Sequence, residues 1–157
     1  AQGYRYLVQL DADGQHDPAS IAAVLQPVLD GRCDLAIGSR FLEGTPYPIP
    51  AARRIGMALF RRVASRILGQ TITDPTSGFQ AMNARTAAFF ASDAYPADYP
   101  DTDVLVWLHR HGFRILEVPA AMRASASGRS IHAGLRPVYY LFKMSLAIPL
   151  NLLRKEP

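Results

Sequence analysis

The run from Tyr4 to Leu10 (Tyr-Arg-Tyr-Leu-Val-Gln-Leu) is apolar, too short for a stable helix, and stops at an acid, Asp11. It reads as a strand, and the helix that follows it sets the pattern for the whole chain. Asp17-Pro18 opens that helix: Asp is a favoured N-cap, and Pro suits the first helical position because its missing N–H would have no partner there. The helix runs to about Leu29, before Gly31. Asp34 to Gly38 is a second short strand. Gly44 to Pro50 holds three prolines and is a loop. Arg53 to Leu68 is amphipathic, with Ile55, Leu59, Val63 and Ile67 on the apolar stripe, Gly69 as the C-terminal stop, and Arg54, Arg61, Arg62 and Arg66 on the other face. Gly78 to Asn83 reads as a strand, Arg85 to Ser92 and Asp101 to His111 as helices, and Arg114 to Met122 as an extended segment. Pro119 argues that this last segment lies at a sheet edge. Ala124 to Gly134 is a small, polar loop, and Arg136 to Leu153 a helix with Pro137 at its start. Strands alternating with helices mean an α/β domain with a mixed, mostly parallel sheet flanked by helices.

Composition narrows the function classes. A chain of 157 residues with 49% apolar content and a net charge of +4 is long enough for one domain with a core, and is not disordered. Cys33 is the single cysteine, which excludes a disulfide scaffold. Only Lys143 and Lys155 are lysines; the other basic residues are all arginines, whose planar fork suits phosphate and carboxylate. Arg-rich codon usage gives the same skew. Nucleic acid is not the expected partner, because the basic residues are not interleaved with exposed aromatics and no nucleic-acid motif appears. The sequence opens on AQGYRYLVQLD, almost directly on a strand and without an initiator Met, so a fragment is expected.

Five constellations carry possible chemistry. Asp11-Ala-Asp13-Gly14-Gln15-His16 follows the first strand, and acids at i and i+2 in a turn there can converge on one hard cation such as Mg²⁺ or Mn²⁺. The alternative is a solvated strand end. A dehalogenase-type phosphatase also begins with a strand and D-x-D-G, but it wants Thr or Val after the Gly and a downstream Lys, where this chain has Gln15 and no Lys before Lys143. Gly38-Ser39-Arg40-Phe41 ends the second strand and would project Arg40 at the same edge as Asp13, beside a phosphate. Thr73-Asp74-Pro75-Thr76-Ser77-Gly78-Phe79 is a hydroxyl-rich turn leading into a strand. Asp101-Thr102-Asp103 starts a helix, where acids also simply complement the dipole. Arg123, Gly128, Arg129, Ser130 and His132 lie in the small, polar loop, which suits either a closing lid or a connector.

Taken in order, DADGQHDP, IGSRF, a paired-Arg helix, LGQTITDPTSGFQAMN, YPDTDVLVWLHRHGFRILEVPAAM and a G-x-S loop resemble family 2 glycosyltransferases, in the subgroup of dolichyl-phosphate mannose synthase-like enzymes. The resemblance covers nearly the whole chain, and TDPTSGF is its most specific part. It implies a GT-A fold of which residues 1–135 are the C-terminal part, the nucleotide-binding half being absent, with residues 136–157 as a C-terminal helix. It also implies that the piece alone is inactive. The resemblance makes Asp11 and Asp13 the metal acids, with Gln15 a third ligand, and puts Arg40, Arg53 and Arg54 near diphosphate or acceptor phosphate. Ser77, Arg123, Arg129 and Ser130 join them as substrate-binding residues. Asp101 and Asp103 stand where relatives carry a Glu-x-Glu pair associated with acceptor activation. Relatives show R-x-x-G-x-S in the last loop; here Ser125 stands at the Arg position, flanked by Arg123 and Arg129.

The implied reaction is inverting transfer of a sugar from a nucleotide sugar to a polyprenyl phosphate, with Mg²⁺ or Mn²⁺. A phosphate monoester, with a second pKa of roughly 6, is already a nucleophile at neutral pH. A saccharide hydroxyl acceptor would instead need a carboxylate base, Asp101 or Asp103. A third possibility is an inactive membrane- or partner-binding module. Val138 to Leu153 is apolar nearly all round, shorter than the ~20 residues that span a bilayer, and flanked by Tyr139-Tyr140 and Arg154-Lys155. That suits an interfacial helix at the cytoplasmic face of a membrane, or a core helix against the sheet.

Overall fold

The computed structural model describes residues 3–42, 51–92 and 102–122, with the backbone alone for residues 51–56. Asp101, Arg123, Arg129, Ser130 and the helix expected over 136–153 lie outside the described residues, as do the side chains of Arg53 and Arg54. The described elements are β1 (Tyr6–Gln9), a 3₁₀ turn (Pro18–Ser20), α1 (Ile21–Leu29), β2 (Leu35–Ser39), α2 (Ala51–Leu68), β3 (Gln80–Asn83), α3 (Ala84–Phe90), α4 (Thr102–Arg110) and β4 (Ile115–Pro119). The helix expected from Asp17-Pro18 opens as the 3₁₀ turn, which Asp17 caps by accepting from the Ala19 N–H, and the α-helix itself starts at Ile21 with Ser20 as its N-cap. Asn83 caps α3, accepting from Thr86 N–H.

The sheet order is β1-β3-β2-β4. β2 and β4 are parallel, but β3 runs antiparallel to both β1 and β2. The sheet is therefore mixed, as the alternation of elements suggests, but it is not mostly parallel. The reason lies in the stretch between α2 and β3. A crossover that returned to the start of the sheet would give a parallel strand; here the chain instead crosses the edge where β2 ends, and β3 begins there. Among the described strands β4 is an edge, as Pro119 requires.

Alternation along β2 divides the core between the two faces of the sheet. Leu35 and Ile37 join Met82, Ile115, Ala64, Leu68, Leu105, Leu108 and Phe113 on the face covered by α2 and α4. Ala36 joins Ala81, Phe79, Val24, Val28 and Ala120 on the face covered by α1. Gly38 faces this second layer, and a methyl group there would lie 2.8 Å from the Ala120 Cβ, so only glycine lets α1 and the end of β4 close over β2. On α2 the buried row is Phe60, Ala64 and Leu68; Leu59, expected on the apolar stripe, is 53% exposed.

At the end of the sheet away from this glycine, Asp34 ties three strands together. Its carboxylate accepts from the Arg114 backbone N–H at 2.8 Å and from Asn83 Nδ2 at 2.8 Å, and it pairs with the Arg114 guanidinium. Burial pushes this carboxyl up, but the hydrogen bonds from Arg114 and Asn83 and the Arg114 charge outweigh it and hold the group below its ordinary value of 3.8. The unfolded chain therefore takes up the proton first. The stabilisation is fully present above the ordinary value and is lost as pH falls through the folded-state value. Urea melts taken from about pH 5 down to about pH 2 should show this loss, and Asp34→Asn should flatten it. An unchanged acid dependence in that variant would remove Asp34 as its source.

Candidate active site at the carboxyl edge of the sheet

β1, β2 and β4 point the same way, so Asp11, Arg40 and Glu117 all come to one edge, and the turn that feeds β3 lies across it. Ligands of open α/β sheets bind outside the carboxyl ends of strands. Two of the constellations legible in sequence, D-x-D-G-Q-H and GSR, are thus brought together by a third, the 73–79 turn.

The turn is fastened on three sides. The Ser77 hydroxyl donates to the Gly38 carbonyl at 2.6 Å, and the Ser39 and Thr73 hydroxyls meet at 2.6 Å. Asp74, fully buried, takes the Arg40 fork with Nε at 2.6 Å and Nη2 at 2.7 Å, and also accepts from the Arg40 backbone N–H. Thr76 Oγ1 lies 3.3 Å from Arg40 Nη2. From β4, Glu117 accepts from the Thr73 N–H at 2.6 Å, the Thr73 hydroxyl at 2.8 Å and the Asp74 N–H at 2.6 Å. Burial pushes the Glu117 carboxyl up; these three hydrogen bonds oppose that, and the Asp74 charge adds to it.

Asp11 stands on the other side of the turn. Its side chain is 61% exposed, with His16 Nε2 3.5 Å from Oδ2. A methyl group on Gly78 would lie 2.7 Å from the same oxygen, so the carboxylate rests against the bare backbone of the turn. His16 itself is buried, edge-on to Phe79 with ring centroids 5.1 Å apart, and its Nδ1 has no hydrogen-bond partner among the described residues. Asp13 is exposed and accepts from the Gln15 N–H at 3.0 Å. Among the described residues no group of three or more His, Cys, Asp or Glu side chains is arranged to hold a metal ion. The oxygen donors present fit a different mode, since Mg²⁺ is commonly held by one or two carboxylates with waters and substrate phosphates completing the shell. Asp11 and Asp13 are the exposed carboxylates at this edge.

Arg40 lies at the predicted edge with its guanidinium turned onto Asp74 rather than toward Asp13. Ser77 is buried and uses its hydroxyl on the Gly38 carbonyl. Asp103 is 3% exposed in the first turn of α4. Asp74, Glu117, His16 and Gly78 have structural roles at the site that no motif spacing assigned to them individually. The charged residue in the otherwise apolar Ile115–Pro119 strand was the one cue to Glu117.

No family model matches the chain. Several curated proteins do. A polyprenol monophosphomannose synthase of Mycolicibacterium smegmatis is 31% identical over 147 residues, covering 92% of this chain and 55% of that protein. An undecaprenyl-phosphate mannosyltransferase of Micrococcus luteus is 33% identical over 139 residues, 85% of this chain and 55% of that protein. A UDP-N-acetylglucosamine–dolichyl-phosphate N-acetylglucosaminyltransferase of Methanococcus voltae is 26% identical over 146 residues, 88% of this chain and 58% of that protein. The chain spans about half the length of the curated relatives it matches. Over most of its own length, the chain is a homologue of family 2 glycosyltransferases.

Proposed function

We propose that this chain is part of a GT-A-type glycosyltransferase that moves a sugar from a nucleotide sugar to a polyprenyl phosphate at a membrane surface, on its cytoplasmic face. The observation that carries the reading is the meeting of D-x-D, GSR and TDPTSGF at one sheet edge, in a chain whose relatives are named for polyprenyl or dolichyl phosphates. In the reaction, an oxygen of the acceptor phosphate attacks the anomeric carbon. The bond from that carbon to the nucleoside diphosphate breaks, the electron pair leaves with the diphosphate, and the anomeric centre inverts.

Asp11 and Asp13, with Gln15, would hold a Mg²⁺ or Mn²⁺ ion, which when bound supplies positive charge to the departing diphosphate. Arg40, Arg53 and Arg54 supply further cations, and Arg123, Arg129 and Ser130 complete the set of proposed substrate contacts. The burial of Asp103 favours a phosphate acceptor over a saccharide hydroxyl, because the phosphate needs no carboxylate base. No described helix is long and apolar enough to cross a membrane; contact with a bilayer is assigned to the segment over 136–157.

The test uses protein expressed from the complete open reading frame, with labelled nucleotide sugars, Mg²⁺ or Mn²⁺ and polyprenyl phosphate. Label should enter the organic phase, and Asp13→Ala should lower it by about 100-fold or more, the loss seen when one group stabilising transition-state charge is removed. Nucleoside diphosphate released only with a saccharide acceptor would overturn the lipid reading and make Asp101 and Asp103 the bases to examine.

A further inference from the structure

The Glu117 carboxylate, on β4, is far in sequence from the D-x-D, GSR and TDPTSGF residues, yet it holds the turn on which they converge. Both of its oxygens are in use: Oε2 receives the Thr73 N–H and hydroxyl, and Oε1 receives the Asp74 N–H. Two successive backbone N–H groups aimed at one carboxylate fix the peptide between them in position and in tilt. The next atoms along the chain are those of Asp74, whose carboxylate grips the Arg40 fork. Four residues further on is Gly78, against which the Asp11 carboxylate lies.

We infer that Glu117 is a positioning residue, which sets the 73–79 turn and through it the orientation of the Arg40 guanidinium and the place of the Asp11 carboxylate. Glutamate is the side chain the geometry requires. Glutamine has the same shape but carries an NH₂ group, which would confront either the Asp74 N–H or the Thr73 donors with another donor. Aspartate is a methylene shorter. The turn would have to tilt in either case, and Arg40 would move with Asp74. The consequence for transfer rests on the function proposed above; the consequence for Arg40 does not.

Two measurements test this separately. The first is the ¹⁵N–¹H signal of Arg40 Nε in the full chain, assigned by its loss in Arg40→Lys. In the parent protein it should exchange slowly with solvent, held by Asp74. In Glu117→Gln it should shift and exchange about ten times faster, while the amides of Ala36 and Leu116 in the sheet keep their protection. Should Glu117→Gln not fold, Thr73→Val removes one of the three donors and should produce a smaller shift of the same signal. An Arg40 signal untouched in whichever variant folds would overturn the inference.

The second is a double-variant cycle on transfer by the complete protein. Glu117→Gln alone should lower kcat/KM by about 100-fold, the scale of an ångström-sized misplacement at a site. In an Arg40→Lys background the same change should cost much less, since its effect passes largely through that residue. Equal losses in both backgrounds would overturn the relay through Arg40. A parent enzyme that transfers nothing to polyprenyl phosphate would sink the proposed function, and the Nε signal would still decide the role of Glu117.

Discussion

Gly78→Ala should leave the protein folded and remove most of its activity. The glycine does not sit in a left-handed conformation, so alanine can adopt its backbone. The atoms nearest the added methyl group are the end of the Asp11 side chain, at 2.7 and 2.9 Å for the two carboxylate oxygens. That side chain is largely exposed and can swing away at little cost, so thermal stability should change by less than about 1 kcal/mol. The carboxylate, however, would no longer occupy its place over the turn. A metal site that loses the orientation of one ligand loses roughly 10–100-fold in affinity or activity. Mn²⁺ titration followed by electron paramagnetic resonance, beside a melting curve, reads both quantities. A variant with unaltered Mn²⁺ affinity and full transfer would show that Asp11 does not act from this position. Gly38 provides the contrast, because a methyl group there meets Ala120, Phe79 and Val24 in the packed core, where nothing is free to swing.

Asp74→Ala should be the most destabilising single change at the site, by about 3 kcal/mol or more, because it strands a charged partner in a largely buried place. The Arg40 side chain is 10% exposed and Asp74 not at all. The variant loses the three hydrogen bonds between Arg40 and the Asp74 carboxylate. Replacing both members, as Arg40→Met with Asp74→Leu, removes the charge problem along with the pair and should recover a substantial part of that loss. Urea denaturation of the single and double variants measures the difference. If Asp74→Ala costs under about 1 kcal/mol, the pair is held weakly and does not order the turn.

Much of this could be read from the residues in order. Capping and periodicity locate every described helix and strand to within a few residues, and Asp17 and Gly69 mark ends by local chemistry alone. The sheet's direction could not be read the same way. Whether β3 returns parallel or antiparallel depends on which edge the chain has reached after α2, and TITDPTSGF could run to either. The buried face of α2 was ambiguous for a different reason. Ile55, Leu59, Val63 and Ile67 form an apolar row, but Phe60, Ala64 and Leu68 form another beside it at the same spacing, and only the position of the sheet selects between them. The D-x-D and GSR residues declared themselves by type and place. Glu117 did not, since its partners lie more than forty positions away and no spacing links them. The inward turn of Ser77 is likewise a tertiary fact: a serine in a turn reads the same whether its hydroxyl faces a ligand or the Gly38 carbonyl.

The placement of β3 between β1 and β2 has a bearing on how the chain is made. Among the described strands Tyr6 to Gln9 pairs with Gln80 to Asn83, so β1 leaves the ribosome about seventy residues before that partner does. Tyr6 and Leu7, with Tyr4 and Leu10 beside them, stay exposed even once that pairing has formed. Pairings so distant in sequence also slow the search for the native sheet. Yield should therefore respond to translation speed and to chaperone supply more than the finished stability of the domain would suggest.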